Sequence, residues 1–234
     1  MDMHLHHTEE HLESSDFIKD IVIGMADGLT VPFALAAGLS GAVDSTSIIV
    51  IAGIAEIAAG SIAMGLGGYL AGKTEQDHYN SEKKREYYEI DHLKHLEIEE
   101  TKEFFANIGL SEGLQEKATM EISQDKDKWV DFMMKYELGL EEPDPKRAGK
   151  SAFNIGTSYI VGGLVPLSPY FFVDHPIDGL KYSVIVTLLC LFIFGWFKSK
   201  ITGINPWLGA IRVTLIGAMA AAAAFGVAKL FEGK

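Results

Sequence analysis

Charge is missing from this chain over stretches that a water-soluble domain does not tolerate. Residues 21–43 carry only Asp27, 45–72 only Glu56 and 201–228 only Arg212, while 151–173 and 182–197 carry none. The hydrocarbon core of a bilayer is roughly 30 Å thick and needs about 20 apolar residues as helix. Four runs reach that length outright. The fourth in order, 182–197, reaches it by adding Leu180 and the aliphatic stem of Lys181, which can snorkel. The fold class expected is all-α: a multi-pass membrane protein of five transmembrane helices with a helical soluble insertion between the second and third. Of the 32 acidic and 20 basic residues, 20 acids and 10 bases lie between Glu75 and Lys146, so this stretch holds −10 of the net −12. The expected domains are a polar His-rich tail over 1–16, transmembrane helices 1–2 over 17–73, a cytoplasmic acidic helical domain over 74–146 and transmembrane helices 3–5 over 147–234.

Several classes fall away. The acidic balance and the lack of a basic cluster argue against nucleic acid. The single cysteine, Cys190, lies inside the fourth uncharged run, which removes disulfide frameworks and Cys-based zinc sites. The first sixteen residues are polar, with His4, His6, His7 and His11 among acids, so the first span is expected to act as its own insertion signal. Lys19, Lys73, Arg147, Lys150, Lys198 and Lys200 flank spans on one side, against Lys181, Lys229 and Lys234 on the other. The positive-inside rule then places the N-terminus and the acidic insertion in the cytoplasm.

The second span has no stop signal and runs into helix-forming residues through Glu103, which predicts one long helix leaving the membrane. Gly109 with Ser111 reads as a helix stop and a new start. Another helical pattern covers Leu114 to Leu138, with an interruption near Ser123, and Pro143 and Pro145 end it. Small residues crowd span two (Gly53, Gly60, Gly65, Gly67, Gly68) and span five (Gly209, Gly217, Ala220–Ala224), which permits close helix contacts within a chain or across a dimer.

Ionisable residues inside spans are costly and functional by default. Asp27 is followed five residues later by Pro32, which cannot donate to the Gly28 carbonyl; that oxygen, the Asp27 carboxylate and the Thr30 hydroxyl make a candidate site for a hard cation. Glu56 and Met64, eight residues apart on span two, share a broad face about 12 Å apart in depth. Glu56 can carry a proton or a cation, and the Met64 thioether suits softer transition metals. Arg212 reads equally as a partner for an intramembrane acid or as a snorkelling side chain.

On the helix leaving span two, Glu86, Glu89, Glu97 and Glu100 fall on a stripe about 80° wide. Like charges so placed destabilise an isolated helix, so a cation is expected to offset them. On a straight helix the two pairs are roughly 16 Å apart, so either they bind separate ions or the helix breaks near Asp91–Leu96 and folds back. Met133, Met134 and Glu137 offer thioethers and a carboxylate that can face one way, a donor set suited to ferrous iron or manganese more than calcium. Two other patterns were weighed. His7-Thr8-Glu9-Glu10-His11 matches an inverted zinc-protease motif but sits in a polar terminus without a third ligand. Glu75-x-x-His78 and Glu89-x-x-His92 repeat the E-x-x-H signature of di-iron proteins, which needs two facing helices.

The segments DGLTVPFALAAGLSG (Asp27–Gly41), AGIAEIAAGSIAMGLGGYLA (Ala52–Ala71) and DFMMKYELGLEEPDPKRA (Asp131–Ala148) resemble the vacuolar iron transporter family, and the likeness runs over essentially the whole chain. That resemblance implies a homodimer of five-helix protomers in the lipid bilayer with the pathway at the dimer interface. It also implies export of ferrous iron from the cytosol by proton antiport, with manganese, zinc or cobalt as further cargo and no organic cofactor. The transport pathway falls on Asp27, Glu56 and Met64, and the metal-binding residues on Glu86, Glu89, Glu97, Glu100, Met133, Met134 and Glu137. The membrane would be the cell membrane in a prokaryote or the vacuolar membrane in a eukaryote. Family members often carry a Val-Pro break between the glutamate pairs; here the chain reads Asp91-His92-Leu93-Lys94-His95-Leu96, with no proline to enforce a fold-back. The reading is therefore a transporter and not an enzyme. A membrane-anchored di-iron oxidase stands as the alternative, and a metal sensor anchored by its spans as a third.

Overall fold

The structure, a computed structural model, describes residues 16–231. The His7–His11 motif, the rest of the tail through Ser15, and Lys234 lie outside the described residues. The described residues form eight α-helices: α1 (Asp16–Ser40), α2 (Thr46–His92), α3 (Lys94–Asn107), α4 (Glu112–Ile122), α5 (Lys126–Phe132), α6 (Arg147–Leu167), α7 (Pro176–Ile201) and α8 (Pro206–Phe231). A π-helical turn, Met133–Glu137, follows α5, and a 3-10 turn, Ser168–Phe171, follows α6; no strand occurs among the described residues. The chain divides into two compact units, one of residues 1–69 with 149–234 and one of Leu70–Ala148.

Among the described residues, four helices are long and apolar enough to cross a membrane: α1, α2, α7 and α8. The run expected to give a third span is α6, which is not among them. It lacks charge from Ser151 onward but is not apolar, carrying Ser151, Asn154, Thr157, Ser158 and Tyr159, and it ends at Leu167 where the 3-10 turn begins. Absence of charge and hydrophobicity are different properties, and only the second is what a bilayer core rewards.

In the first unit, α6 packs intimately against both α1 and α2. A methyl group added at Gly24 would overlap the carbonyl oxygen of Ile155, and one at Gly28 that of Tyr159. On the α2 side, Gly163 approaches the side chain of Ile57, and Gly68 lies against Ile155 and Ser151. Buried Ala36, Ile49, Ile57, Leu167 and Tyr170 form the core at the far end of these helices, where Ser40 Oγ and Tyr170 Oη share a 2.8 Å hydrogen bond. Phe33, Ala37 and Ala221 form a second core between α1 and α8, lined by Leu180, Val184 and Leu188 of α7. Pro32 stays inside α1 and is buried. Gly24→Ala is expected to lower the melting temperature in detergent, by an overpacking cost of about 1–3 kcal/mol. Gly226→Ala, where nothing lies within 4 Å, is expected to be neutral or stabilising. Equal melting of the two variants would contradict this packing.

The second unit has its own core of Tyr79, Ile90, Trp129, Val130, Met133 and Met134. The C-terminal part of α2 is joined to α5 by Lys83–Asp131 (3.0 Å), Lys126–Asp91 (2.5 Å) and Tyr87 Oη donating to Asp127 (2.8 Å). The helix interrupts at Leu93, whose φ of −124° and ψ of 25° leave the helical region, and α3 restarts at once with Leu96 N–H on Leu93 O (2.8 Å). The break needs no proline. Gly109, at φ 92°, ends the α3 turn in the left-handed conformation that glycine adopts without penalty, and Ser111 precedes α4.

Candidate functional site

The first unit places one intramembrane carboxylate against a tyrosine. Tyr159, on α6 and only 2% exposed, donates its hydroxyl to Glu56 Oε1 on α2. Glu56 Oε2 is buried without a hydrogen-bond partner. Asp27, on α1, directly precedes Gly28, which lies against the Tyr159 backbone. Glu56 and Tyr159 therefore form a hydrogen-bonded pair between α2 and α6, with Asp27 of α1 one residue from the Gly28–Tyr159 contact. Met64 is partly buried two turns further along α2 and is not shown joined to it. Thr30 is not a free ligand: its hydroxyl donates to the carbonyls of Ala26 (2.8 Å) and Asp27 (3.4 Å). Arg212 lies on an exposed face of α8.

Sequence reasoning missed two residues here. Asp20, 1% exposed, accepts hydrogen bonds from Ser151 Oγ (3.0 Å) and Asn154 Nδ2 (3.2 Å). It sits at the edge of the uncharged run, where an acid reads as a flanking charge. The signal was its spacing of seven residues from Asp27, two turns along the same helix face, with Gly24 between them. Tyr159 carried no signal of its own, since its role depends on which residue of another helix its hydroxyl reaches.

In the second unit the break at Leu93 lets both glutamate pairs act on one another. Glu86 (2% exposed) and Glu97 (4% exposed) are the buried members, Glu89 is half-buried, and Glu100 and Glu137 are open. Burial, and then the charges of Glu137 and Glu89, push the Glu86 carboxyl up to about 7. Burial, and then Glu100 and Glu86, push Glu97 up to about 7. Glu137 is also raised, by burial and then by Glu100 and Glu89, with Arg85 opposing. Arg85 is the compensating cation, 3.5 Å from Glu89 and 3.1 Å from Glu82. Glu86 Oε2 is buried without a partner.

The methionines are placed differently. Met133 and Met134 are buried in the core beside Trp129, and Met133 Sδ accepts from Thr101 Oγ1 at 3.4 Å while Trp129 Nε1 donates to that hydroxyl at 2.9 Å. The π turn holding Met133, Met134 and Glu137 has Leu138 N–H on Met133 O (3.1 Å), a wider turn of the kind often found at functional sites. Among the described residues no three His, Cys, Asp or Glu side chains converge as a ready-made metal site. The carboxyls of Glu86, Glu97 and Glu137 are raised in part by neighbouring glutamates, yet the group does not converge on one point as it stands.

The two E-x-x-H pairs do not make a di-iron centre. Glu75, His78, Glu89 and His92 all lie on the one helix α2. His78 lies 3.9 Å from Glu82, and His92 stacks on Tyr88 at 4.1 Å with its Nδ1 2.9 Å from the Tyr88 carbonyl.

Membrane-length helices carrying buried carboxylates, and a separate acidic helical unit, define the chain as an all-helical membrane protein equipped to handle cations. The VIT family model matches residues 18–229, and the chain belongs to that family. It is 50% identical over 227 residues to vacuolar iron transporter 1 of Arabidopsis thaliana, covering 97% of this chain and 91% of that protein. Vacuolar iron transporter 1 of Tulipa gesneriana is 51% identical, over 97% of this chain and 92% of its own length. Protein CCC1 of Saccharomyces cerevisiae is 40% identical over 91% of this chain and 68% of that protein. The first two of these relatives are named as transporters, consistent with a chain that is not an enzyme.

Proposed function

We propose that this protein is a proton-coupled transporter that moves ferrous iron, and manganese as a second cargo, out of the cytosol. The observation that carries the reading is Glu56, on a helix long enough to span a bilayer, with one oxygen held by Tyr159 and the other buried and unpaired; Asp27 lies on a second such helix, next to the glycine that packs on Tyr159. An acidic oxygen kept there without a partner calls for a proton or a cation. The names of the relatives supply iron as cargo and the vacuole as a destination.

In this reading α6 is the fifth crossing, its polar face turned to α1 and α2 and its burial among them standing in for hydrophobicity. The Lys and Arg residues at span ends put the N-terminus and the acidic unit on the cytoplasmic side. The glycines Gly53, Gly60, Gly65 and Gly68 of α2 are taken up by α6, but its exposed small residues Ala55, Ala59, Ala63 and Gly67 suit pairing with a second copy, and the pathway runs at that dimer interface. The glutamates Glu86, Glu89, Glu97, Glu100 and Glu137, with Met133 and Met134, collect the ion. Capture by the thioethers requires Met133 to leave Thr101. The ion then passes Met64, Glu56 and Asp27 and is released on the far side. A carboxylate cannot hold a proton and a metal equally well, so protonation of Asp27 or Glu56 exchanges with the cargo.

The test is ferrous-iron uptake into sealed proteoliposomes carrying an internal pH dye, with and without an imposed proton gradient. Iron accumulation with opposing proton movement is the expected result. Iron bound but not moved would sink the transporter, and oxygen consumed in its place would point to a ferroxidase.

A further inference from the structure

The Glu56 carboxylate is gripped through one oxygen only, and the residue that grips it has no room to retreat. Tyr159 donates to Oε1, while Oε2 is buried and unpartnered. One helical turn after Glu56 comes Gly60, where an added methyl group would overlap the Tyr159 hydroxyl and ring edge. The Tyr159 backbone lies against Gly28, next to Asp27, just as closely. Two glycines on two helices thus seat this one tyrosine, and neither position accepts a side chain while it stays there. So close a seat leaves the hydroxyl one position, which suits a tyrosine whose hydroxyl must reach a set point.

We propose that Tyr159 is a specificity-determining positioning residue: by capping Oε1 it leaves Glu56 a single ligating oxygen, Oε2, and so favours compact first-row divalent ions over calcium. Calcium gathers about six to eight oxygens and commonly takes a carboxylate through both of them. First-row ions bind fewer donors and accept a single carboxylate oxygen beside a softer ligand such as a thioether. A capped glutamate therefore discriminates by the number of oxygens it presents, whatever its charge. This inference rests on Glu56 being part of the pathway.

The experiment uses the full chain in proteoliposomes, with ferrous uptake measured against added calcium. Tyr159→Phe keeps the ring and removes the cap. It is expected to lower the calcium inhibition constant about tenfold, the scale of one hydrogen bond to a charged group, and to raise the KM for iron by more than it lowers the maximal rate. Gly60→Ala, which pushes the hydroxyl away with one methyl group, is expected to shift calcium discrimination the same way. Wild-type calcium discrimination in both variants overturns the proposal. So does a raised KM with calcium discrimination unchanged, which is what loosened packing alone produces. Glu56→Gln separates the two levels of the argument. If it loses uptake while Tyr159→Phe discriminates like wild type, the capping is wrong and the pathway stands; if it transports normally, both fall.

Discussion

Asp27→Ala is expected to abolish ferrous-iron uptake into proteoliposomes while leaving metal binding by the 70–148 unit intact. Asp27 is next to Gly28, which lies against the backbone of Tyr159, the residue that holds Glu56, so removing Asp27 takes a second negative charge from the proposed path. Removing one partner of a buried charge pairing costs about 3–5 kcal/mol, and at about 1.4 kcal/mol per decade that is roughly two to three and a half orders of magnitude in rate. Asp27→Asn, which keeps the shape and removes the charge, is expected to fail almost as badly, because charge is the property at issue. The mutated side chain belongs to the first structural unit and the glutamates to the second, so metal titration of the variant in detergent should be unchanged. Normal uptake by Asp27→Ala would remove this residue from the pathway and revive the reading in which the spans only anchor a metal sensor.

What the sequence disclosed, and what it withheld, follows from the range of each interaction. The all-helical class and the unbroken passage of α2 from Thr46 to His92 were legible because they depend on local composition and on the lack of Gly or Pro stops after Gly72. The break at Leu93 was legible only as one of two options. Repulsion along the glutamate stripe argued for it, but the groups that accompany it, such as Lys126 on Asp91, come from α5, 35 residues away. The π turn at Met133–Glu137 was invisible, since one extra residue per turn leaves no compositional mark. An α-helical spacing let the two methionines face the way of Glu137; the structure holds all three in the π turn, with both methionines buried in the core that includes Trp129. Asp20 and Tyr159 escaped for the same reason: their partners lie 131 and 103 residues away, and no periodicity reports on such pairs. The uncharged run that became α6 was legible as a helix but not as an apolar one, because counting charges cannot tell a serine from a leucine.

The acidic unit is expected to be more stable without metal at pH 5 than at pH 8, the reverse of a carboxylate held by salt bridges. Glu86 and Glu97 have carboxyls raised from 4.5 to about 7, chiefly by burial. A carboxyl raised on folding favours the fold while it stays protonated; its contribution is complete below 4.5 and is lost as the pH climbs through 7. Because the two groups repel each other, their effects overlap, and the loss across that window is on the order of a few kcal/mol in all. A divalent ion reverses the trend. It displaces the protons, supplies the countercharge and stabilises the unit by mass action. Melting of the full chain in detergent should therefore fall between pH 5 and pH 8 without metal and recover on adding manganese at pH 8. Calorimetric titration in buffers of differing ionisation enthalpy should report about two protons released per ion at pH 6 and few at pH 8. Glu86→Gln with Glu97→Gln imitates the protonated pair, so it should flatten the pH profile, raise stability at pH 8 and weaken manganese binding by more than about tenfold. Metal-free melting that rises steadily from pH 5 to pH 8, or binding at pH 6 that releases no protons, would show that these two glutamates are already ionised and that some other feature of the unit draws the metal.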